Sequence, residues 1–142
     1  MAMNRHIPLE DIRDAEGAIY AVAMRTPLVR LPVPDDSPLG RTKFSELYLK
    51  LETLQPIGSF KIRGAYNTVR QLTPNQLSQG IWTVSAGNAG QGVALAARTC
   101  GAKCSVMVMD TAPTTKLAAI ERFGAQLVKA SHDECWKAVE DH

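Results

Sequence analysis

Residues 81–109, IWTVSAGNAGQGVALAARTCGAKCSVMVM, read as strand, glycine-rich turn, helix, glycine and strand. Residues 81–85 are rich in strand formers and end at Ser85. Gly87, Gly90 and Gly92 punctuate the segment after Ser85, and a helix is expected from about Gly90 to Cys100. Gly101 then stands where a helix end takes a left-handed residue. Residues 104–109, CSVMVM, are a near-continuous apolar run, the pattern of a strand covered on both faces, so Met107 and Met109 are expected in the core. The pattern repeats downstream. Pro113 opens a helix through Phe123, Gly124 closes it, and residues 126–129 form a third strand. Ser131-His132-Asp133-Glu134 is a capping box that starts a last helix bearing Cys135, Trp136 and Val139 at helical spacing. Strands that alternate with helices predict an α/β fold with a parallel sheet and right-handed crossovers.

Upstream, Pro8 can open a helix whose apolar positions Leu9, Ile12, Ala15, Ile19 and Val22 carry it to about Met24. Residues 28–33 read as a short strand. A turn-rich loop with Asp35, Asp36 and Gly40 comes next, then a strand at 46–51. Gln55-Pro56-Ile57-Gly58 is a turn. Ser59 is the expected N-cap of a helix with Ile62, Ala65, Tyr66, Val69 and Leu72 on its buried stripe. Gly64 inside that helix costs up to about 1 kcal/mol against alanine, which close approach of backbone or ligand would explain. Thr73-Pro74 begins a short helical turn that ends at Gly80.

The 142 residues are 45% hydrophobic and 21% charged, a composition that supports a packed core rather than disorder. A net charge of +2 gives no reason to expect nucleic acid or a membrane surface as partner, and there is neither a signal-peptide core nor an apolar run of membrane-spanning length. Cys100, Cys104 and Cys135 form no C-x-x-C pair and read as small buried apolar residues in a reducing, cytoplasmic setting. His6, His132 and His142 lack metal-ligand spacing. Arg41, Lys43, Lys50, Arg63 and Arg70 read as a solvated face.

Two constellations can carry chemistry. Lys61, in Ser59-Phe60-Lys61, falls in the first turn of a helix that comes after a strand and a turn. One reading is a solvated surface lysine. The other is a nucleophile, because the positive end of a helix dipole disfavours the protonated amine. The second constellation is the loop Ser85-Ala86-Gly87-Asn88-Ala89-Gly90-Gln91-Gly92, between a strand and a helix. Its spacing is neither a dinucleotide fingerprint nor a Walker loop. It can be a tight turn, or an anion site made of helix N-terminal amides with the Asn88 amide beside them.

Taken together, YLKLETLQPIGSFKIRGA (residues 48–65) and TVSAGNAGQGVALAA (83–97) resemble the lysine motif and the asparagine loop of the pyridoxal-phosphate (PLP) enzymes of the tryptophan synthase β-like fold, and within them the threonine/serine dehydratases. Arg25-Thr26-Pro27-Leu28 and Ala112-Pro113-x-x-Lys116 match further landmarks, and the resemblance spans about residues 8–140. It implies a parallel three-layer α/β sheet. Residues 1–74 would open the large PLP domain, and 75–142 would form an incomplete small domain. It implies that Lys61 holds PLP as a Schiff base, that Phe60 lies against the cofactor ring and that Asn88 bonds the cofactor's 3-oxygen. Ser85, Ala86, Gly87 and Asn88 would surround the substrate. The reaction implied is β-elimination from an amino acid, L-threonine or L-serine, to a 2-oxo acid and ammonia.

Ala89 and Gly90 stand where many relatives have histidine and alanine, which bears on subgroup. Ala86 stands where racemising relatives place a hydroxyl, so racemisation is expected to be poor. Phe60 and Ile62-Arg63 argue against the cysteine-synthase and threonine-synthase branches. The family's phosphate-binding glycine loop is expected beyond residue 142, so the alternative is a non-catalytic remnant or interaction module. Leu28, Val29, Leu31, Leu47, Leu49 and Leu51 would then lack neighbours, which predicts a homo-oligomer.

Overall fold

The computed structural model describes residues 7–34, 38 and 46–141. Helix α1 covers Leu9–Ile19, and strands β1 (Leu28–Leu31) and β2 (Leu47–Lys50) come after it. Beyond a single 3-10 turn, Glu52–Leu54, come α2 (Lys61–Val69) and α3 (Pro74–Gln79). The remainder alternates strictly: β3 (Ile81–Val84), α4 (Asn88–Thr99), β4 (Cys104–Met109), α5 (Thr114–Arg122), β5 (Gln126–Ala130) and α6 (His132–Glu140).

Strands β3, β4 and β5 form a parallel sheet in that order, with Val106 at its centre opposite Thr83 and Leu127. The α/β expectation therefore holds. Alternation along β4 sends Cys104, Val106 and Val108 to one face, where they meet Leu95 of α4 and Leu117 and Ile120 of α5 in one core. Both crossover helices lie on that face, as a single hand of crossover requires. Helix α6 packs against β3 and β4 with Cys135 buried. The product is three layers, helix, sheet and helix.

Met107 and Met109 are a correction. They point away from the α4–α5 core; Met107 is half-buried and Met109 is exposed. The continuous apolar run of β4 concealed two unequal faces, one dry and one lining a cleft beneath α6.

Helix α1 stops at Ile19, short of Met24, because tertiary bonds claim the backbone there. The Gln55 side chain accepts from Met24 N–H at 2.9 Å and donates to Met24 C=O at 2.9 Å. Helix α4 starts two residues before Gly90, with Gly87 as its N-cap. Helix α2 starts at Lys61 with Phe60 at the cap, and Ser59 Oγ accepts the Lys61 N–H at 3.4 Å, one residue off the expected cap register. The Ser131–Glu134 capping box, and positive φ at Gly101 and Gly124, are as the sequence predicts.

Strands β1 and β2 form a separate antiparallel pair, Val29 opposite Leu49. Leu28, Val29, Leu47 and Leu49 are all exposed. The loop containing Asp35, Asp36 and Gly40, with Arg41 and Lys43, lies outside the described residues, as do His6 and His142. No helix among the described residues is long and apolar enough to cross a membrane.

Candidate active site

Chain leaving β2 makes its 3-10 turn and then a tight reversal closed by Gly58, whose N–H donates to Gln55 C=O at 2.7 Å and whose φ of +66° only glycine adopts at low cost. Ile57 is buried beside this reversal and Ile62 one residue into α2 is wholly buried, so the apolar stripe anchors the helix. Lys61, at the first position of α2, is left exposed. Its Nζ lies 5.4 Å from the centre of the Phe60 ring and hydrogen-bonds to no described residue. Phe60 is 58% exposed, so it is not a core aromatic. Both line an open cleft of about 480 Å³ together with Gly64, Thr83 and Ala89. Beyond the backbone of its own helix, no described atom lies within 4 Å of where a Cβ on Gly64 would stand. Backbone crowding is therefore not what calls for glycine there.

At the end of β3, Ser85 N–H donates to Met107 C=O at 3.0 Å, and Gly87 N–H donates to Ser85 Oγ at 3.2 Å. This turn delivers the chain to α4 with Asn88 exposed in its first turn, where amides lack an intrahelical acceptor. The next glycines serve packing. A Cβ on Gly90 would stand 2.3 Å from Ser85 C=O and 3.2 Å from both Ile120 and Val106. A Cβ on Gly92 would stand 3.3 Å from Ala65 Cβ and 3.4 Å from Lys61 C=O, so Gly92 lets α4 lie directly against the lysine helix.

The expected site residues thus fall in two concavities, one beside strand β3 and one past its C-terminal end. Phe60 and Lys61 share the first. Ser85 and Ala86 line a second, of about 290 Å³, with Met107, Met109, His132 and Trp136. Gly87 and Asn88 join the two in sequence. In the second cleft Trp136 Nε1 donates to His132 Nε2 at 2.7 Å, which places the ring proton of a neutral His132 on Nδ1, beside Asp133 Oδ1 at 3.2 Å.

A polar cluster on the far side of α2 escaped the sequence. Arg63 donates to both carboxylate oxygens of Glu52, Nε to Oε2 at 2.8 Å and Nη2 to Oε1 at 2.7 Å, and Nη2 also donates to Met24 C=O at 3.1 Å. Thr26 Oγ1 and Gln55 Nε2 donate to the same carboxylate at 2.5 and 3.2 Å. Thr26 and Gln55 are buried, and the paired side chains of Arg63 and Glu52 are only 22% and 17% exposed. The Arg63 hydrogen bonds, helped by Thr26 against the cost of desolvation, hold the Glu52 carboxyl down at about 2. Arg63 is accordingly not part of a solvated face, whereas Lys50 is exposed and donates to Thr26 C=O at 2.6 Å. An eleven-residue separation between Glu52 and Arg63, across a turn, has no periodic signature.

Among the described residues no group of three or more His, Cys, Asp or Glu could hold a metal ion. The primary amine of Lys61, by contrast, suits a carbonyl-bearing cofactor. A family model described as pyridoxal-phosphate dependent enzyme matches residues 19–141. The chain belongs to the pyridoxal-phosphate-dependent enzymes. An L-threonine ammonia-lyase of Thermotoga maritima is 39% identical over 135 residues, which is 94% of this chain and 32% of that one. A serine racemase of Dictyostelium discoideum is 38% identical over 123 residues, 87% of this chain and 36% of that one. Among solved structures, the Dictyostelium serine racemase superposes with a TM-score of 0.79 at 35% identity, over 95% of this chain and 43% of that one. Maize serine racemase superposes at 0.82 with 29% identity, over 96% and 41%. The fold is that of the tryptophan synthase β-like PLP enzymes. The chain spans about a third of the length of the curated relatives it matches.

Proposed function

We propose that this chain supplies the lysine-bearing portion of a PLP-dependent ammonia-lyase that converts L-threonine or L-serine to a 2-oxo acid and ammonia. The observation that carries this reading is Lys61 itself: an exposed amine without a hydrogen-bond partner among the described residues, in the first turn of a packed helix, facing an open cleft. PLP, when bound, supplies the electron sink that makes a Cα carbanion accessible. Lys61 would hold the cofactor's aldehyde carbon and, once released, take the Cα proton on Nζ. Phe60 would cover the ring and Asn88 would donate to its 3-oxygen. The Ser85 hydroxyl and the amides near Gly87 would bind the substrate carboxylate, as helix N-terminal amides suit an anion.

Both a lyase and racemases occur among the similar proteins. Ala86 favours the lyase, because a methyl group cannot return a proton to the second face of Cα. In this proposal residues 1–74 belong to the large domain and 75–142 to the small one. The exposed β1–β2 leucines make a homo-oligomer the expected state, and the free thiols suit the cytoplasm.

The test is direct. PLP is added, the adduct is reduced with borohydride, and modified lysines are mapped by mass spectrometry. A pyridoxyl group on Lys61, and ammonia released from threonine or serine that disappears in Lys61→Ala, are the expected outcomes. Labelling without turnover would favour a non-catalytic module. No label on Lys61 at saturating PLP sinks the cofactor role.

A further inference from the structure

We propose that Glu52, Arg63 and Gln55 form a clamp that positions Lys61, by tying the first turn of α2 to the backbone at Met24. The inference rests on the proposed cofactor role of Lys61. Arg63 lies two residues beyond Lys61, about 200° around a helix of 3.6 residues per turn. The clamp therefore grips α2 from behind and leaves the lysine face open to the cleft. Its geometry resists both sliding and rotation. Two parallel bonds from a planar guanidinium to one carboxylate fix orientation as well as distance. Four donors saturate Glu52: Arg63 twice, Thr26 and Gln55. Gln55 in turn holds Met24 at both its N–H and its C=O, and Arg63 reaches the same C=O. Residues 24–26, the 3-10 turn and α2 thus share one polar knot.

The knot complements apolar support that lies mainly on the α4 side of α2. The apolar stripe of α2 presses against α4 through Ile62, Ala65 and Gly92. Away from α4, helix α2 meets α1, with the Arg63 guanidinium 5.7 Å from the centre of the Tyr20 ring, while Gly64 has no neighbour within 4 Å beyond its own helix among the described residues. None of the clamp residues lines the cleft, so their role is to position and not to react.

Two measurements on the 142-residue chain decide the matter, each made on the wild type, Glu52→Gln, Arg63→Met and Arg63→Lys. In the first, backbone hydrogen exchange is monitored over residues 20–27, 61–69 and 81–109. Exchange in the first two segments should quicken about tenfold in Glu52→Gln and Arg63→Met while the third stays protected. Unchanged exchange, or equal loss in all three segments, overturns the clamp. In the second, the share of borohydride-trapped pyridoxyl on Lys61 is compared with that on exposed Lys103 and Lys137. That share should fall about tenfold in the same two variants and be partly restored in Arg63→Lys, which keeps the charge but not the fork. Equal Lys61 labelling in all four proteins would show a merely structural knot and overturn the positioning role. An unlabelled Lys61 in the wild type overturns the cofactor reading and, with it, the positioning role. The exchange result then reports only whether the knot holds the helix.

Discussion

Helices α2 and α4 each carry glycine in their interior, and the two regions use it in opposite ways. Around α4 the molecule is closed: Gly90 and Gly92 are buried, and any side chain there would meet backbone or core atoms. Around the N-terminal turn of α2 it is open. Gly64 faces nothing, Phe60 and Lys61 are exposed, and the support behind them is a polar knot. Packing without cavities gives α4 one position and no freedom. Apolar contact with α4 and hydrogen bonds behind the first turn together hold α2 while leaving a face unfilled. The role proposed for Lys61 needs the second arrangement, and a platform needs the first.

Breaking the closed side should give the largest effect. Gly90→Ala places a Cβ against Ser85 C=O, a backbone atom that cannot swing aside, and against Val106 and Ile120. A loss of about 3 kcal/mol or more is expected in denaturant unfolding. A loss under about 1 kcal/mol would mean that the α4–β3 junction yields easily and that the contrast between the two helices is overdrawn.

The polar side should fail with acid. The Glu52 carboxyl is held at about 2 against an ordinary 4.5, so its contribution is complete above about pH 4.5 and is lost as pH falls through about 2. The contribution is on the order of 2 kcal/mol for this partly buried, bidentate pair. Glu134, lowered by its bonds from Ser131, adds to the same acid slope in wild type. Glu52→Gln should therefore be less stable at pH 7 and show a shallower decline between pH 4.5 and 2. An identical pH profile for both proteins would contradict the role of the carboxylate.

The smallest effect should have the opposite sign. Gly64→Ala meets no neighbour and gains helix propensity, so stability should rise by about 0.5–1 kcal/mol. The same substitution should reduce pyridoxyl trapping on Lys61 if the open face receives the cofactor. A more stable protein with undiminished trapping would remove Gly64 from the site.

Much of this molecule was legible in order but not in depth. The strand and helix sequence, the Ser131 cap and the glycines at 101 and 124 come from local rules, because the energies that set them are local. The run in β4 was legible as a strand, yet its two faces were not, since which face is dry depends on where α4, α5 and α6 land. On sequence alone, the glycines of the asparagine loop suggest exposed amides. Gly90 and Gly92 instead proved to be contacts between elements, which no spacing within the loop reveals. Likewise Arg63 looked like a surface charge because its partner is eleven residues away around a turn.

The sequence by itself determined the α/β alternation, the family, and the presence of Lys61 at the head of a helix, since periodicity, turn chemistry and motif spacing are all written along the chain. Only the tertiary structure decided that this lysine faces an open cleft, that α4 backs it through glycine contacts, and that Glu52 and Arg63 brace it from behind. Those properties depend on which surfaces meet, and partners brought together by folding leave no period in the chain that forms them.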